Sequence, residues 1–148
     1  MDSHLRRIAD YLLARADATG VDAASIAPEL LPYVYIIEVE RDLNLRLRVR
    51  LVGTALDKFF QRPVVGQVLE EFMHGPRGRD VIAAFRSCAT TREPIWMRQV
   101  VCLPGRAARF VEGVAVYLQP NRIYGGLAVG ELTLPGAESS FECVRLER

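Results

Sequence analysis

Cysteine is scarce in this chain. Cys88, Cys102 and Cys143 are the three present, too few and too widely spaced for a disulfide framework or a zinc knuckle, and suited to a reducing compartment. Histidine is rarer still, with only His4 and His74. A heme would have to take its axial ligand from the N-terminus or from F-M-H-G-P at a helix end, so heme is disfavoured. No run of about 18 apolar residues is present to span a bilayer. The opening M-D-S-H-L-R-R-I-A-D-Y-L-L-A-R is interrupted by arginine and aspartate too often to be a secretory signal. The expectation is a soluble, cytoplasmic protein without a membrane role. Surplus positive charge is also missing: the formal net charge is +1, which gives no basic field to recruit nucleic acid. Lys58 is the only lysine, and the arginine that replaces it elsewhere is most economically read as the coding bias of a GC-rich genome.

What is present describes one folded domain. The chain has 148 residues, half of them apolar and a quarter charged, enough to bury a core without disulfides or metals. Leu5, Ile8, Ala9, Leu12, Leu13 and Ala16 recur at helical spacing, predicting an amphipathic helix capped by Ser3 and ending near Gly20. Two prolines in A-S-I-A-P-E-L-L-P predict a short turn. Tyr33 to Val39, rich in β-branched and aromatic residues, then reads as a strand, and R-D-L-N as a hairpin connection.

The next strand, R-L-R-V-R-L, alternates strictly. Leu45, Leu47, Val49 and Leu51 fall on one face and Arg46, Arg48 and Arg50 on the other. The arginines are an anion site or, more simply, the wet face of a half-buried sheet. Gly53-Thr54 ends the alternation, and T-A-L-D-K-F-F fits one or two helical turns with Thr54 as cap. V-L-E-E-F-M reads as another brief helix, and Arg79 to Thr91 as a longer one after G-P-R-G. Three strand-like runs follow, I-W-M-R-Q-V-V-C-L, R-F-V-E-G-V-A-V-Y-L and I-Y-G-G-L-A-V-G-E-L-T-L, separated by P-G-R-A and Q-P-N-R turns. Residues 1–24 form the helix and linker, 25–134 the core, and 135–148 a loose tail. The expected fold is α+β, an antiparallel sheet with short helices on one face and a hollow between them.

The stretch Leu51-Val52-Gly53-Thr54, with Phe59, Phe60 and Gly66 after it and P-E-L-L-P-Y-V-Y-I-I-E-V-E before it, resembles the PAS-fold superfamily. It is more closely similar to a bacterial PAS-like family with a strand ending in Leu-Val-Gly-Thr. The resemblance covers roughly residues 25 to 132, and Gln61-Arg62-Pro63 departs from the Gly-Arg-Asp frequent there. It implies a five-stranded antiparallel sheet, a small-molecule cavity between sheet and helices, and an N-terminal helix that dimerises. Fold alone does not fix function. The Asn-Cys-Arg-Phe-Leu-Gln type string of flavin photoreceptors with this fold is absent, which disfavours flavin.

Candidate pocket residues are Phe72, Phe85, Cys88, Met97, Val101, Val116 and Leu127, with Trp96 and Tyr117 exchanging in if the register slips by one. Glu112, midway along F-V-E-G-V-A-V, either enters the hollow, as a cation ligand or acid/base, or points outward and pairs with Arg98 across strands. Cys88 and Cys102 would be redox sensors if Arg86 and Arg98 lowered their thiol pKa; inert core filling is the commoner role. There is no G-x-S-x-G, phosphate-cradling loop or H-E-x-x-H. The helix face formed by Leu5, Ile8, Leu12 and Leu13 must cover the sheet, pair with a second copy, or both, and a homodimer through it is expected. No kinase, cyclase or DNA-binding segment follows the core, so any output is expected to pass through an unidentified partner. The leading expectation is a non-catalytic sensory or interaction module. The alternatives are a small ligand-binding or enzymatic protein using Glu112, and a docking module whose core is self-filled.

Overall fold

Asp2 opens the first helix. Its carboxylate accepts hydrogen bonds from the backbone N–H of His4 at 2.8 Å and Leu5 at 3.1 Å, satisfying two of the donors that a helix start leaves free. The cap is thus one residue earlier than the Ser3 expected from sequence. The helix, α1, spans Ser3–Leu13. In the computed structural model, which describes residues 1–16, 21–101, 109–131 and 141–147, it lies against one face of an antiparallel sheet. Gly20 lies outside the described residues.

The strands are β1 (Val34–Arg41), β2 (Leu45–Val52), β3 (Ile95–Val101), β4 (Arg109–Leu118), β5 (Arg122–Glu131) and β6 (Glu142–Arg145). They form one six-stranded sheet in the order β2-β1-β5-β4-β3-β6, with every pairing antiparallel. The architecture is α+β as expected, with two corrections. The segment read as a loose tail supplies a sixth strand, Arg98 standing opposite Glu142 and Met97 opposite Cys143. The helices also cover both faces. α1 and the turns at Ala23–Ser25 and Leu31–Tyr33 precede β1, whereas α2 (Thr54–Phe60), a short turn at Leu69–Glu71 and α3 (Gly75–Thr91) form the layer between β2 and β3. The Gly-Pro-Arg-Gly expected to separate two helices is instead the first turn of α3, where proline is tolerated because no intrahelical donor is lost.

Two cores result. Against α1 lie Val34 and Ile36 of β1, Val114, Val116 and Leu118 of β4, and Tyr124 of β5. Against the α2–α3 layer lie Tyr35, Ile37, Leu47, Val49, Met97, Ala115 and Ile123. The pair Gly125-Gly126 serves both. A Cβ on Gly125 would collide with the Val114 carbonyl and the Tyr35 hydroxyl, which donates to that carbonyl at 2.7 Å across β5. A Cβ on Gly126 would stand 2.8 Å from Ile8 Cδ1, so the glycine lets α1 settle closely on the sheet.

The arginine row meets carboxylates. Arg48 contacts Glu40, with Nε 3.1 Å from Oε2, and also donates to the Gly66 carbonyl. Glu38 lies between Arg50 at 3.7 Å and Arg122 at 3.6 Å. These pairs are partly exposed and stabilise little, but they make this stretch of the sheet a wet face of matched charge. Strict alternation nevertheless fails at one point. The pairing of β1 with β2 shifts between Ile36 and Ile37, so that Ile36 faces Leu51 and Ile37 faces Val49. The bulge turns Leu51 toward the α1 side and sends Val52 to the other. Gly53 follows because a Cβ there would run into the backbone carbonyls of Leu31 and Pro32.

Candidate functional site

A cavity of about 260 Å³ lies between the sheet and the α2–α3 layer. The sheet floor comes from Tyr35 and Ile37 of β1, Val49 and Val52 of β2, Met97 of β3, Val111 of β4 and Leu127 of β5. The roof comes from Leu56, Phe59 and Phe60 of α2, Phe72 and Met73 after the Leu69–Glu71 turn, and Val81 and Phe85 of α3. Aromatic edges fix this roof. Phe85 meets Tyr35 edge-on at 5.7 Å, and Phe60 meets Phe72 the same way at 5.7 Å. Such contacts add to the area these rings bury. The space exceeds the engineered void of about 150 Å³ that is known to take up benzene and approaches the lower limit of small-molecule pockets.

Polar groups gather where the first turn of α3 meets the end of β3. His74 and Arg77 contribute from the helix start and Arg98 and Gln99 from the strand. Arg77 Nη1 donates to the Val100 carbonyl at 2.9 Å and so ties the two elements together. Gln99 is half-buried, but its Oε1 is wholly buried and accepts no hydrogen bond.

Of the expected pocket residues, Phe72, Phe85, Met97 and Leu127 line the cavity. Cys88 belongs to the same core but lies outside the lining, with no exposed surface. Burial pushes its thiol up to about 12, so it stays protonated at neutral pH and lacks the thiolate that redox sensing requires. The Val101 side chain and Cys102 lie outside the described residues. Val116 and Glu112 are corrections, because both stand on the α1 face. β4 is apolar on both sides, and its faces run Val111, Gly113, Ala115, Tyr117 toward the cavity layer and Glu112, Val114, Val116, Leu118 toward α1. Trp96 also belongs to the α1 face, while Tyr117 belongs to the cavity-side core without lining the space.

Glu112 is an anchor. It is 7 % exposed. One carboxylate oxygen accepts from the Asp2 backbone N–H at 2.9 Å and the other from the Trp96 indole N–H at 2.6 Å. The pairing expected with Arg98 does not form. Arg98 is its cross-strand neighbour but donates to Glu142 at 2.8 Å instead. The same carboxylate therefore holds the start of α1 to the sheet through the residue that caps it. Leu5, Ile8 and Leu12, each 2 % exposed or less, bury their side chains against β4 and β5, and the half-buried Leu13 packs on the same core. The apolar face expected to pair with a second copy is a sheet-covering face within its own chain, and a dimer through these residues would require α1 to leave the sheet. The anchor could have been suspected from a carboxylate placed among six apolar neighbours; its partner Asp2, about a hundred residues away, carries no signal in the sequence.

Among the described residues, no group of three or more His, Cys, Asp or Glu is placed to hold a metal ion, and no helix is long and apolar enough to cross a membrane. No protein-family model, curated protein or solved structure matches the chain.

Proposed function

We propose that this chain is a PAS-like sensory or protein-interaction module of the cytoplasm that binds a small, mainly apolar molecule between its sheet and the α2–α3 layer and has no catalysis of its own. The observation that carries this reading is the cavity of about 260 Å³ with a mainly apolar lining. An unfilled space of this size forfeits dispersion contacts that a self-filled core would keep. The reading is further supported by Leu51-Val52-Gly53-Thr54 leading from β2 into α2, and by the helical layer between β2 and β3 covering strands β1 to β5. The free thiols Cys88 and Cys143 suit a reducing compartment. The enzymatic alternative loses its acid, since Glu112 lies on the opposite face with both carboxylate oxygens engaged.

Occupancy can be passed on through the sheet itself. Met97 and Val111 line the cavity, while their chain neighbours Trp96 and Glu112 grip α1, so a ligand that shifts β3 or β4 also shifts the anchor of the helix. Native mass spectrometry of freshly purified protein tests the reading. The expected result is an added small-molecule mass on part of the population, or its uptake when an apolar probe is supplied, with both lost in Val111→Phe. A mass-clean protein that takes up no probe would favour a self-filled docking module.

A further inference from the structure

Among the polar side chains that line the cavity, Gln99 differs in leaving an atom without a partner. Gln99 Oε1 is buried and accepts no hydrogen bond, although Gln99 lines the cavity beside Val111, its cross-strand partner on β4. A buried amide oxygen left without a partner is costly, and native proteins carry few of them. The other orphaned side-chain oxygen among the described residues, on Gln67, does not line the cavity. Gln99 therefore combines an oxygen that lacks a partner with a place in the wall of the cavity.

We infer that the cavity recognises an apolar ring molecule carrying a hydrogen-bond donor, of the phenol class, whose hydroxyl pairs with the Gln99 amide while its hydrocarbon body lies among Met97, Val111, Phe85 and Leu127. This rests on the cavity being a ligand site. A phenolic hydroxyl is the fitting group because it both donates and accepts, and so pairs with either end of the amide. The hydrocarbon lining contributes affinity without discriminating strongly among rings of similar size, whereas a buried polar group penalises any ligand that leaves it unpaired.

The test compares p-cresol with p-xylene, which differ by a hydroxyl in place of a methyl, by titration calorimetry on the whole chain and on Gln99→Met. The expected result is that both probes bind the wild type and that the preference for p-cresol falls about tenfold in Gln99→Met, with p-xylene affinity held or raised. Equal preference in both proteins would overturn the role of Gln99 and leave the cavity reading standing. Binding of neither probe to the wild type would overturn both. Should Gln99→Met fail to fold, the side-chain amide resonance of Gln99 in the wild type decides. It moves with p-cresol and not with p-xylene if the inference holds, and responds alike to both if it does not.

Discussion

The two faces of the sheet are built from similar residues and end differently. On one, a single helix of 11 residues is drawn tight. Leu5, Ile8, Ala9 and Leu12 are buried against β4 and β5, Gly126 has no side chain to hold the helix off, and Glu112 fixes its first turn. On the other, two helices and a turn join the sheet only in part and leave about 260 Å³ open. Hydrophobicity therefore does not distinguish a structural face from a binding face. Completeness of packing does, because a filled face gains contacts from every buried methylene and an unfilled one holds them available for a ligand.

Enlarging one side chain on each face should separate them most widely. Ala9→Leu adds three carbons where α1 already touches the sheet and is expected to lower stability by about 1–3 kcal/mol, read from the urea midpoint. Val81→Phe enlarges a residue that borders the cavity and is expected to change stability by less than about 1 kcal/mol, because the added carbons meet empty space. Similar losses in both variants would mean that the second face is as full as the first.

The anchor should give a smaller effect. Glu112→Gln keeps one acceptor but sets an amide N–H against either the Trp96 indole or the Asp2 backbone N–H, leaving a buried donor unpaired. A loss of about 1–2 kcal/mol is expected. Since Trp96 is the only tryptophan, its fluorescence reports the site alone, and its emission should change as the first turn of α1 loosens. An unchanged spectrum and midpoint would mean that Glu112 does not hold the helix.

How far the sequence foretold these faces depended on how cleanly each segment divided its residues. α1 was legible because its apolar and charged residues segregate at helical spacing, although periodicity shows only that a face exists and not what covers it. The first half of β2 was legible for the same reason at a period of two. β4 is not: Val111 to Leu118 are all buried, so alternation carries no information, and the reading places Val116 in the pocket and leaves Glu112 between the hollow and an outward pair with Arg98. Leu51 was misassigned by a bulge in the pairing with β1, which adds a residue without altering the pattern. Gln99 was missed because one polar residue in a strand ordinarily faces water, and only the pairing with β4 and the overlying helices reveal an enclosed oxygen.

The most direct test of the difference between the two faces is a backbone amide chemical-shift map of the protein titrated with p-xylene. Shifts largest in the cavity lining, such as Val49, Leu56, Phe72, Val81, Met97 and Leu127, with smaller ones at Leu5, Ile8 and Leu12 of α1, are the predicted result. Shifts centred on α1, or none at concentrations near the probe's solubility, would contradict it.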